Sequence, residues 1–290
     1  MINNFIARWV TLFLVMILVC APAQAQTDDT SALSPEDRVA LEQVIKRGEE
    51  IYYRDAAAWV VTDALLEKVP VAKLQALGII GWVTMPLAPD QSDSALVLYQ
   101  VSFLTENDGE FRKLYVANVL GWDVVDENLF IDPETRPRLS AEEIQAFRAK
   151  KSASASMTAE HWCSGPFNTV VIPTETGHDV YLLSPETETG QVQIGGHYKV
   201  VVSENGSVGE MTPFTNSCLS SMIPSPEEGE LEAIIVSHLL GPLPNETHVF
   251  KSLSHRLPIY VLTMSNDQLW NVEGSRIGTI DPDEVLSGEQ

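Results

Sequence analysis

Basic residues are scarce in this chain: 18 lysines and arginines stand against 40 aspartates and glutamates, a formal net charge of −22 over 290 residues. A surface this negative repels phosphate backbones and anionic lipid headgroups, and the few lysines form no basic stripe. Nucleic acid is therefore excluded as a partner. The acidity itself reads as solubility, because excess charge spread along a chain is ordinarily a solvated surface. Phosphate-cradling loops are missing too, since neither GxGxxG nor GxxxxGK[ST] occurs. There is no GxSxG nucleophile turn; "NGSVG" has the wrong spacing and falls at a hairpin turn. The "DPD" at residues 281–283 lacks the spacing of a calcium loop.

Cysteine is equally sparse, with three in the whole chain. One of them, Cys20, belongs to the only long apolar run. "MINNFIARWVTLFLVMILVCAPAQAQ" has a single basic residue, Arg8, an apolar stretch from Trp9 to Cys20, and small residues Ala23 and Ala25 around Gln24. This reads as a secretory signal peptide, residues 1–25, cut after Ala25. Its run falls short of the roughly 20 apolar residues that span a bilayer, and nothing later approaches that length. The expectation is a periplasmic or secreted protein with no stable membrane insertion after cleavage. Acylation at Cys20 is the alternative, although Val19 stands where a lipoprotein signal wants a small residue.

Removing the leader removes Arg8 and no acid, so the charge moves from −22 to −23. Two cysteines remain, Cys163 in "EHWCSGPF" and Cys218 in "TNSCLSS". An even count in an exported chain points to a disulfide. With no CxxC and no activating basic cluster, a redox or metal role is disfavoured.

The fold class expected is α+β: an N-terminal helix with a small antiparallel sheet (residues 26–138), a helical connector (139–158), a strand-rich α+β domain (159–281) and an acidic tail (282–290). In "SPEDRVALEQVIKRGEEIYY" Ser34 caps, Pro35 suits the first turn, and Leu41, Val44, Ile45, Gly48 and Tyr52 recur at helical spacing. A helix is predicted from about 35 to the mid-50s. "RDAAAWVVTDALL" either extends it or turns to strand at Trp59. "GIIGWVTM", "SALVLYQVSFL" and "FRKLYVANVL" read as strands, with a hairpin at Asp108-Gly109. "GWDVVDENLFIDPETRPR" reads as an irregular exit. "LSAEEIQAFRAKKSASASM" begins with a capping box, Ser140 and Glu143, and its thin apolar side predicts an exposed helix. Asn205-Gly206 marks a second hairpin, and "LEAIIVSHLL" a continuously buried strand.

Three of the six histidines, His238, His248 and His255, lie within "SHLLGPLPNETHVFKSLSHRLPIYVLT". The order here is a strand ending in His238, a proline turn, a helix capped by Asn245, then "LPIYVLT" and "LWNVEG". That order resembles the latter part of JAB/MPN-type metalloprotease domains. The resemblance implies zinc on an HxH and on an acid within SxxD. His238 would match the first histidine and Asn245 the capping serine. Leu240 stands where the second histidine belongs and His248 where the aspartate belongs, and the catalytic glutamate has no counterpart. The ordinary reading makes His238 the hydrogen-bonded end of a buried strand, His248 a first-turn residue and His255 a solvent-facing helix end. The metal reading places zinc on His238 and His248, with Glu246 or His255 as a third ligand.

Trp59 and Trp162 are read as core packing, with an aromatic ligand platform as the alternative. The functional expectation is a non-catalytic exported binding or interaction module for an unknown protein or small-molecule ligand, with no cofactor. A divergent metal-dependent hydrolase is the alternative.

Overall fold

The computed structural model describes residues 33–87, 97–107, 109–225, 227, 229 and 231–280. The leader, Cys20, Asp108 and the acidic tail lie outside the described residues. Within them the fold is α+β, with four α-helices and fourteen strands. No helix of the described residues is long and apolar enough to cross a membrane.

Helix α1, Pro35–Lys68, opens as its sequence predicts: the Asp37 N–H donates to Ser34 Oγ at 3.0 Å, and Glu36 and Asp37 sit at the positive end of the dipole. It does not turn to strand at Trp59. It continues through "AAAWVVTDALLEK", where three alanines add helix propensity at no steric cost. At 1.5 Å per residue its 34 residues span about 51 Å. Three hydrophobic cores are strung along that length. Leu41 enters one, Ile51 a second, and Ala57, Val61 and Leu65 a third.

The third core is closed by an antiparallel meander. It comprises β1 (Ile79–Pro86), β2 (Leu98–Asn107), β3 (Glu110–Leu120) and β4 (Asp123–Leu129). A short helix α2, Val71–Ala76, leads into β1. Strand β4 corrects the irregular exit expected for "GWDVVDENLF": its exposed residues Asp123, Val125 and Asp126 break the apolar pattern, yet it pairs with β3 from Leu120↔Asp123 to Tyr115↔Leu129. A two-residue turn, Gly121-Trp122, joins the two strands, with Gly121 at φ +61. Positive φ there is what a tight hairpin with the twist of its strands requires.

Helix α3, Ala141–Ala155, has the capping box read from the sequence, with Ser140 N–H donating to Glu143 Oε2 and Glu143 N–H to Ser140 Oγ. The expectation that it is exposed is wrong. Phe147 packs with Val83 and Leu104, and Ala149 and Ala153 with Val180, Leu182, Val200 and Val202. Its apolar face consists largely of alanine, which carries a weak amphipathic signal but lets sheets approach closely. Lys113 Nζ pairs with the buried Glu143 at 2.7 Å, supplying the charge partner a buried carboxylate needs.

A second antiparallel sheet has the order β5-β6-β8-β9. Its strands are β5 (Asn168–Thr174), β6 (Gly177–Leu183), β8 (Tyr198–Ser203) and β9 (Val208–Pro213). The predicted Asn205-Gly206 turn joins the last two, with Gly206 at φ +85. A two-stranded ribbon is formed by β7 (Gln191–Gln193) and β10 (Ser220–Met222), and its Val192 packs in one core with Ile234, Val236 and Val261.

The last sheet, β11-β12-β13-β14, spans Ile234–His238, Ile259–Thr263, Gln268–Glu273 and Arg276–Ile280. β11 and β12 are parallel, joined by helix α4, Glu246–His255, and the rest is antiparallel. β11 is an edge strand that buries only alternate residues, with Ile235 70 % exposed, correcting the continuously buried strand expected there. Its unbroken apolar run concealed a period of two.

Candidate functional site

Tyr52, Asp55, Ala56 and Trp59 follow one another at i, i+3, i+4 and i+7, so they share one face of α1. Ala56 is small and buried, leaving a recess between the rings on either side. Trp122, at the tip of the β3–β4 hairpin, closes the recess from the opposite side. Its ring lies 6.5 Å from Trp59 at 88° and 6.3 Å from Tyr52 at 66°. Trp122 thus stands steeply to both other rings, and the cleft that the three border has a volume of about 400 Å³. Trp59 is 62 % exposed and Trp122 49 %, so the core reading of Trp59 is corrected; Trp162, 46 % exposed, is no core residue either. Both aromatic walls were unreadable as a pair, because they come from elements whose proximity the local pattern does not encode.

The floor of the cleft is charged. Lys251 of α4, buried, reaches Glu186 Oε1 at 2.9 Å, and His255 Nε2 meets the same oxygen at 2.9 Å. Burial alone would raise the Glu186 carboxyl, but the His255 hydrogen bond and the Lys251 ammonium outweigh it and hold Glu186 down at about 2. Asp55 behaves oppositely: burial raises it to about 6, Lys251 only partly offsetting the effect and Glu186 adding to it. Two carboxyl groups of one cleft are thus pushed apart by their surroundings.

His197 holds this floor in place. Fully buried, it accepts the Ser184 N–H on Nδ1 at 3.0 Å, so the proton is on Nε2, which donates to the Gln193 carbonyl at 2.9 Å. The loop that carries Glu186 is fixed by that imidazole and by Ser184 Oγ donating to Gly196 O at 2.8 Å. Burial, followed by the Lys251 charge, lowers His197 to about 3. Cys163 and Cys218 form the expected disulfide, with Cα atoms 5.3 Å apart, and Cys163 Sγ packs against Gly196. The bridge and His197 therefore support the same loop.

His238 and His248 do meet, with ring centroids 5.4 Å apart at 89°. His248 is already committed: its Nδ1 accepts the Asn245 N–H at 3.1 Å while Asn245 Oδ1 accepts from the Thr247 and His248 N–H groups. Burial, with smaller contributions from His238 and His197, lowers it to about 3, and burial lowers His238. Two imidazoles supply fewer than the three protein ligands of an open zinc site. Among the described residues no group of three or more His, Cys, Asp or Glu side chains converges as a metal site would. His255, a candidate third ligand, is instead bound to Glu186, and Glu246 accepts a hydrogen bond from the Tyr181 hydroxyl at 3.1 Å.

Comparison with family models, with characterised proteins and with solved structures finds no match to this chain. The cleft is therefore interpreted from its own chemistry.

Proposed function

We propose that this protein is an exported, periplasmic or secreted, binding module whose small-molecule ligand occupies the cleft between Tyr52, Trp59 and Trp122. The observation that carries the reading is the pair of solvent-exposed tryptophans held edge to face over a charged floor. Large aromatic surface left in water is costly unless something covers it, and Trp and Tyr are the side chains best suited to grip a ligand with little loss of rotamer freedom. The volume lies within the range of ligand pockets, roughly 300 to 1,000 Å³, and the lining combines apolar walls with a few convergent polar groups. Export is supported by the leader sequence and by the Cys163–Cys218 disulfide.

The test is a titration of the mature protein with choline, glycine betaine, phenylalanine and chitotriose, read by intrinsic tryptophan fluorescence and calorimetry. At least one compound should perturb the wild type and leave the Trp59→Ala/Trp122→Ala variant unchanged. A panel that leaves both proteins equally unaffected would overturn the proposal.

A further inference from the structure

We propose that the cleft selects an organic cation, an alkyl- or quaternary ammonium group seated between Tyr52, Trp59 and Trp122 and paired with Asp55. The inference rests on the reading of the cleft as a ligand site and names the chemistry of its occupant.

Ring orientation is the first argument. A sugar is gripped by a flat face open to solvent, whereas an ammonium group is gripped by several faces turned towards one point, because each ring presents its negative quadrupole there. Here the rings of Trp59 and Tyr52 stand at 88° and 66° to Trp122, so they make no flat platform, and aromatic surface borders the cleft from three side chains.

Charge is the second. Lys251 of α4 faces the cleft, and its ammonium is engaged by Glu186 of the neighbouring loop, which His255 also meets. Tyr52, on the same helix as Asp55, is raised by burial and only partly offset by Arg256, so its hydroxyl is neutral. Asp55 remains. Lys251, already held by Glu186 at 2.9 Å, lowers it only in part, and among the described residues no hydrogen bond to its carboxylate and no ion pair with it within 4 Å is formed. A carboxylate left without a close partner beside three aromatic rings is half of an ion pair whose other half comes from outside. Its elevated titration, about 6, is what a desolvated acid shows before its counter-ion arrives.

The experiment uses the full mature chain and choline chloride as probe, with 3,3-dimethylbutan-1-ol as the neutral isostere. Choline should bind at least ~10-fold more tightly than the isostere. Its affinity should fall about tenfold from pH 8 to pH 5, following the ionised fraction of a carboxyl at about 6. Asp55→Asn should weaken choline ~10-fold and abolish that pH dependence while leaving the circular dichroism spectrum unchanged. Trp122→Ala, at an exposed hairpin tip, should weaken it by a similar factor without unfolding the protein. Co-sedimentation with phosphatidylcholine vesicles separates a lipid headgroup from a free ammonium compound as the source. Equal binding of choline and isostere, or pH-independent choline binding, overturns the inference. Chitotriose perturbing the tryptophans while choline does not would leave the cleft a binding site and sink the cation alone. If no compound responds, the site itself fails.

Discussion

A β-carbon on Gly48 would lie 2.5 Å from the β-carbon of Val249 and 2.8 Å from the Glu246 carbonyl oxygen, so α1 and α4 cross at a separation that only glycine permits. The crossing sets the recess of the cleft, because Tyr52 and Asp55 lie one and two turns farther along α1 and Phe250 and Lys251 directly follow Val249. Gly48→Ala improves helix propensity by about 1 kcal/mol but forces apart two backbones, and overpacking of this kind costs about 1–3 kcal/mol. With a backbone oxygen among the obstacles the cost lies at the upper end of that range, so the variant should lose about 2 kcal/mol net in denaturant unfolding. An unchanged midpoint would show that the helices can separate freely.

Asp55 should make the protein less stable at neutral pH than it would be without the charge. Its folded value, about 6, lies above the ordinary 3.8, so between these two pH values the folded state binds the proton more tightly than the unfolded chain. Stability from this group is therefore present below pH 3.8 and lost as pH rises through 6, by at most about 3 kcal/mol. Asp55→Asn should melt at a higher temperature than wild type at pH 7.5, and the gap should close as pH falls towards 4. Other titrating groups are common to both proteins, so the difference between the two melting curves isolates Asp55. A gap that widens on acidification would contradict the assignment.

Local chemistry made much of the fold legible. The Ser34, Ser140 and Asn245 caps and the Asn205-Gly206 turn each act within a few residues, and each appears where the sequence places it. What escaped depends on partners distant in sequence. β4 is an exposed edge strand whose acids are tolerated because one side faces water, and α3 buries alanines that carry little hydrophobic signal until a sheet lies against them. The cleft escaped for the same reason: Trp59, singled out in the sequence, gains its meaning from Trp122, which a hairpin turn delivers from another element. The histidines show the converse. Their clustering in sequence is conspicuous, and His238 and His248 do meet, but backbone capping accounts for the Nδ1 of one of them.

His197 should be an acid-labile support of the fold. Its folded value, about 3, lies below the ordinary 6.5, so the unfolded chain binds the proton more readily across that interval. The stability it protects is present above pH 6.5 and lost as pH falls towards 3. His197→Gln keeps an acceptor and a donor but does not titrate. It should cost about 1–3 kcal/mol at pH 8, where the imidazole's two hydrogen bonds are better placed, and lose less stability than wild type between pH 8 and pH 5. Thermal melts at the two pH values decide the matter, and a variant that tracks wild type on acidification would show that His197 is not the group responsible.

Gly196 and the disulfide should prove to be coupled. Gly196 has φ +77, and a β-carbon there would lie 2.0 Å from Cys163 Sγ and 2.9 Å from Ser184 Oγ. Gly196→Ala therefore meets two obstacles, a positive φ that costs about 1 kcal/mol for a residue with a side chain and a sulfur already occupying the space. Because the sulfur belongs to a bridge tying residues 55 apart in sequence, it yields only if the bridge fails to close, forfeiting up to about 4 kcal/mol. Thiol titration of the unfolded, unreduced mature variant should find free cysteines where wild type has none. In a Cys163→Ala/Cys218→Ala background the sulfur is gone, and Gly196→Ala should then cost markedly less than in the wild type, a non-additivity expected only of residues in direct contact. Equal costs in the two backgrounds would separate Gly196 from the bridge.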